Sequence, residues 1–139
     1  QDLTAASSHR GGELFHLPGE ITSLNPDFGG RQPTVYTNAA NRGVVAIVEA
    51  LQQSLGAAVG FTDLAPGEAA AAGEPTHWLL YLRLDTFDGA EGDRLAAQLL
   101  PALEARFPIV LVHENDPAAH GSRLFDPIFH ATPHSLRDL

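Results

Sequence analysis

Two apolar runs constrain this chain more than any other feature. His77-Trp78-Leu79-Leu80-Tyr81-Leu82-Arg83-Leu84 is apolar at almost every position, and Ile109-Val110-Leu111-Val112 repeats the pattern ahead of His113 and Glu114. A strand that is apolar at consecutive positions is covered on both faces, the usual condition inside a parallel sheet. Both runs are therefore expected to be buried strands, over residues 77–84 and 109–114. Two shorter β-prone segments, 34–37 and 59–62, precede them.

Helical periods fill the gaps. From Gly43, the residues Val44, Ile47, Val48, Leu51 and Leu55 recur at steps of three and four, with Glu49, Gln52 and Gln53 opposite. Asn41 is a candidate N-cap and Gly56 a natural stop. A second helix is expected after Asp93, read as its cap, with Leu95, Leu99, Leu100 and Leu103 on one stripe. Pro101 falls inside that stripe and is expected to kink or shorten the helix. Residues 64–76 are rich in Ala, Gly and Pro and read as a loop. Residues 1–32 read as a linker or peripheral segment, with 13–17 and 20–24 able to form short strands. The alternation of strand and helix predicts an α/β fold with a parallel sheet and right-handed crossovers over 33–139. The chain begins with Gln and stops at an opening helix, so a fragment truncated at its C-terminus is the expectation.

Composition narrows the function classes. There is no cysteine, which removes disulfides and thiolate chemistry. A cytoplasmic setting suits such a chain. All 8 basic residues are Arg, so no lysine is present for a phosphate loop or a Schiff base. The formal net charge of -9 opposes nucleic acid and anionic membrane surfaces. No apolar run approaches the roughly 18 residues of a membrane span, and no secretory leader pattern is present.

Parallel sheets bind ligands beyond the carboxyl ends of their strands. Those ends carry Asn38, Asp85, Thr86, His113, Glu114, Asn115 and Asp116, while Asn41 and Arg42 lead into the first helix. These nine are the candidate ligand-binding residues. Polar strand-to-helix loops also serve simply to cap helices and face water, and that plainer role weighs against each of them. His113, with His120, His130 and His134, invites a metal reading, but the spacing matches no HExxH or HxH pattern, so no metal site is assigned. No GxSxG elbow supports a serine nucleophile.

The strand Trp78-Leu79-Leu80-Tyr81-Leu82, the helix around Leu95-Ala96-Ala97-Gln98-Leu99, and Leu111-Val112-His113-Glu114-Asn115-Asp116 with the tail Gly121, Phe125-Asp126-Pro127-Ile128-Phe129, Thr132-Pro133 and Leu136 together resemble a TIR-like domain. The likeness is to divergent versions in multidomain proteins of unicellular algae and protists. It implies a three-layer, flavodoxin-like parallel sheet of order 2-1-3-4, and signalling through protein partners, among them other TIR-like domains by self-association. It also raises catalysis. Some TIR domains cleave NAD with a glutamate on the helix after the third strand, and that position falls at Gln98. An amide cannot stabilise an oxocarbenium-like centre as a carboxylate does. The resemblance thus implies a non-catalytic interaction domain with no cofactor, NAD remaining conceivable as ligand or substrate. Two alternatives stay open. One is an NAD glycohydrolase with a displaced carboxylate, Glu91 or Glu114. The other is a small-ligand or nucleotide-binding module built on Asn38, Thr86 and Asn115.

Overall fold

A computed structural model describes residues 32–63, 65–66 and 75–137. The expected short strands at 13–17 and 20–24 and most of the 64–76 loop lie outside these residues. Four strands form one all-parallel sheet in the order β2-β1-β3-β4. They are β1 (Thr34–Thr37), β2 (Gly60–Thr62), β3 (His77–Leu82) and β4 (Ile109–His113). Among the described residues, four α-helices join and flank them: α1 (Val44–Leu55), α2 (Gly89–Glu104), α3 (Asp126–Ala131) and α4 (His134–Arg137). The α/β architecture and the strand order agree with expectation.

Alternate residues of each strand face opposite sides of the sheet. On one side Val35, Leu79 and Tyr81 pack with Val44, Ile47, Val48, Leu51 and Leu55, the periodic face of α1. On the other, Tyr36, Trp78, Leu80 and Leu82 pack against Leu95 and Leu99 of α2 and Ile128 of α3. The sheet is thus the middle layer of three. β3 has both faces covered, and its residues from Trp78 to Leu82 are all buried. That burial is the physical reason for its unbroken apolar run.

Several boundaries differ from the sequence reading. β3 ends at Leu82, because Arg83 begins a turn in which its N–H donates to Thr86 Oγ1 at 2.7 Å. β2 begins at Gly60, with Val59 buried just outside it. β4 ends at His113 and is not buried along its length. It is the edge strand, and Val110 and Leu111 are 40% and 57% exposed. Asn41 does not cap α1 with its side chain; Gly43 occupies the cap position with φ 84. A Cβ there would stand 3.0 Å from both Tyr81 Cε1 and Arg83 Nη1, a tight fit that adds to the strain any side chain meets at this positive φ.

Asp93 is not the cap of the second helix. α2 starts five residues earlier, after Asp88 in extended conformation. Nor does Pro101 break it, since α2 runs on to Glu104. Pro101 has no N–H for the Ala97 carbonyl, but the helix continues only three residues beyond it, so little helical structure depends on the lost bond. There Ala105 N–H donates to Pro101 O at 3.0 Å and Phe107 N–H to Ala102 O at 2.8 Å, closing the end. Among the described residues, no helix is long and apolar enough to cross a membrane.

Candidate functional site

The parallel topology brings the carboxyl ends of β1, β3 and β4 to one edge of the sheet. Most of the polar residues picked from the sequence gather there, but in two groups separated by the sheet.

The first group lies on the α2 side and is neutral. Asn38 follows β1 and is buried. Its Oδ1 accepts from Ala40 N–H at 2.8 Å, turning the chain toward α1. Its Nδ2 donates to Tyr36 Oη at 3.0 Å and to Gln98 Oε1 at 2.6 Å. Gln98 thus reaches from mid-α2 to the end of β1 by an amide–amide bond. Beside it, Tyr36, Trp78, Gln98, Pro101, Ala102 and Phe107 help to line a cleft of about 320 Å³. No carboxylate lies among the described residues lining it. Trp78 Nε1 is buried there with no acceptor among the described residues, while the indole meets Tyr36 edge-on at 4.7 Å.

The second group is ionic and lies on the α1 side. Tyr81 Oη donates to Glu114 Oε2, and Asp116 N–H donates to Glu114 Oε1 at 2.8 Å. Accepting from both holds the Glu114 carboxyl below the usual glutamate range. Burial, reinforced by the bond to Glu114 and its negative charge, pushes the Tyr81 phenol up to about 12. Arg83 Nη2 donates to Asp85 Oδ2 at 3.0 Å. Its Nε lies 2.9 Å from Asp85 Oδ1, but the N–H is not aimed for a hydrogen bond, so that attraction is coulombic. Arg42, more exposed, reaches Asp85 and Glu91 at 3.5 Å each. This cluster joins the start of α1, the end of β3 and the start of α2.

Other candidates have local duties. Asn41 is 1% exposed, and its side chain addresses β3: Nδ2 donates to Tyr81 O and Oδ1 accepts from Tyr81 N–H, both at 2.8 Å. Thr86 closes the turn after β3 by accepting from Arg83 N–H and donating to Tyr81 O at 3.2 Å. His113 Nε2 bonds the Ser122 carbonyl at 2.5 Å and meets Phe125 edge-on, which tethers the loop after β4. Asp116 caps the turn at Pro117–Ala119 through Ala118 N–H, and Asn115 lies exposed beside it. Among the described residues, no three His, Asp or Glu side chains gather as metal ligands would.

Sequence reasoning missed Tyr36, Tyr81 and Arg83, which sit in runs read as core. The available signal was the phenol itself: a tyrosine on a buried strand needs a polar partner for its hydroxyl. Comparison with family models, curated proteins and solved structures finds no match.

Proposed function

We propose that this chain is a non-catalytic, TIR-like interaction domain of flavodoxin-like topology, acting in the cytoplasm through protein partners that include copies of itself. The observation that carries the reading is the Asn38–Gln98 pair. NAD cleavage of the TIR type needs an uncompensated negative charge facing the sugar as the nicotinamide leaves. At the position where the resemblance puts that charge stands a neutral amide, its oxygen already accepting from Asn38.

The two carboxylates offered as substitutes are committed elsewhere. Glu114 lies across the sheet, bonded to Tyr81 and a backbone N–H. Glu91 stands in the first turn of α2, exposed and beside Arg42. Neither pairs with Gln98 among the described contacts. The test is release of nicotinamide from NAD by the purified full chain. Release at the level of a buffer blank is expected. Turnover at rates typical of enzymes, about 1 s⁻¹ or more, that is lost in Glu91→Gln or Glu114→Gln would overturn the proposal in favour of a displaced-carboxylate glycohydrolase.

A further inference from the structure

Residues 115–122, between β4 and α3, are braced by their own backbone. Asp116 O accepts from Ala119 N–H at 3.0 Å and from Gly121 N–H at 2.8 Å. Asp116 Oδ1 accepts from Ala118 N–H at 2.9 Å, and Pro117 O accepts from His120 N–H at 3.3 Å. His120 completes the turn in the left-handed region at φ 60. A segment bonded to itself in this way need not unravel in order to move.

Its ties to the rest of the chain are few and polar. None of residues 115–122 belongs to either apolar core. Beyond the end of β3, Leu84 N–H donates to His120 O at 2.9 Å. Beyond the end of β4, Ser122 N–H donates to Glu114 O at 2.9 Å, and His113 Nε2 bonds Ser122 O. The Glu114 carboxylate stands between these two attachments. Its Oε2 accepts from Tyr81 Oη on β3 and its Oε1 from Asp116 N–H, so one ionised group fastens the segment to the sheet. Hydrogen bonds to an ionised acceptor are roughly twice as strong as neutral ones, which makes this the principal tie. A segment held by surface hydrogen bonds and by no core contact belongs to the low-stability end of a domain. Gly121 sets the closeness of the fit. A Cβ there would stand 2.5 Å from Glu114 O and 2.6 Å from Glu114 Cγ.

We propose that residues 115–122 are a strap, closed across the carboxyl ends of β3 and β4 and latched by the Glu114 carboxylate, which opens as one rigid piece while the sheet stays folded. Opening frees Leu84 N–H and Glu114 C=O at the edge where parallel α/β sheets take their ligands. The strap therefore decides whether the ends of β3 and β4 present unpaired backbone groups there. The device goes beyond the interaction-domain reading and depends neither on Gln98 nor on any partner.

Amide hydrogen exchange of the full chain, resolved residue by residue by NMR, tests it. Leu84, Asp116 and Ser122 N–H groups all cross the latch, so a single opening should give them one shared protection factor. Ala119 and Gly121 N–H, bonded inside the strap, should be better protected than these three. Glu114→Ala should lower the protection of the three together by about tenfold, and by clearly more than that of the β3 ladder. Gly121→Ala reaches the same contact without removing the carboxylate. Its Cβ presses on Glu114 O, so the same three amides should exchange faster.

Unrelated protection among the three amides overturns the inference, as does exchange of Ala119 and Gly121 as fast as theirs, since the loop would then fray residue by residue. A Glu114→Ala chain in which the three are unchanged, or fall no further than β3, overturns it as well, because the strap would have no latched opening of its own. Should that variant fail to fold, the wild-type pattern and Gly121→Ala decide.

Discussion

At the residue scale, Asn41 does what a strand residue would do. β1 ends opposite Leu79, so Tyr81 lies one step beyond the reach of its ladder. The Asn41 carboxamide presents an N–H and a C=O side by side, as a peptide edge does, and with them it meets both backbone groups of Tyr81. Asn41→Leu leaves the buried Tyr81 N–H without its acceptor and is expected to cost about 2–4 kcal/mol, read from urea unfolding. The pair Tyr81 and Glu114 makes a second expectation. Glu114 titrates lower in the folded chain than unfolded, so its contribution is present above the ordinary glutamate range and is lost as pH falls through its depressed pKa. The phenol acts at the other end. Its contribution is complete below pH 10 and is lost as pH rises toward about 12. Tyr81→Phe should therefore flatten the stability profile at both the acid and the alkaline end, as measured by thermal melts across pH. Asn41 and Glu114 were legible in the sequence as polar residues of the strand-to-helix loops, whereas Tyr81 was hidden in an apolar run. Their partners were not legible, because Asn41 and Tyr81 are 40 residues apart and only the crossover joins them.

At the element scale, the order of strands and helices was readable and the ends were not. The periods of α1 and the run of β3 survive tertiary detail, since each packs its apolar residues against the neighbouring layer. β4 carries the same kind of run as β3 and yet lies at the edge, because a local sequence does not record how many neighbours a strand acquires. The start of α2 was hidden for a related reason. Gly89 and Gly92 look like loop residues, but Gly92 is inside the helix and packed on the preceding turn. A Cβ at position 92 would stand 2.1 Å from Phe87 C and 2.4 Å from Phe87 O. Those are backbone atoms, which cannot swing away as a side-chain tip can. Gly92→Ala should gain about 1 kcal/mol of helix propensity. It should lose more than that to the clash, since overpacking costs about 1–3 kcal/mol even where side chains can shift. A lower denaturation midpoint is expected, and a raised one would show that the Phe87 turn moves freely.

At the scale of the whole molecule, β3 is the wall shared by two cores. Leu79 is 1% exposed in the core against α1, and Leu95 is 0% exposed in the core against α2. Each truncation to Ala is expected to cost about 2–5 kcal/mol. The two side chains lie on opposite faces of the sheet and share no cluster, so their costs should add to within about 0.5 kcal/mol. The sum approaches the total stability of about 5–15 kcal/mol usual for a domain, so the double variant should be largely unfolded at room temperature. Whether the cores melt together can be read separately. The single tryptophan, Trp78, is buried on the α2 side and reports that core through its fluorescence, whereas far-UV ellipticity reports helices on both sides. If β3 couples the layers, the two signals should trace one transition in urea, and Leu79→Ala should shift the Trp78 transition although it lies across the sheet. An unmoved fluorescence transition in that variant would mean that the α2 layer stands without the α1 layer, and that the sheet is a seam between two units rather than their common support.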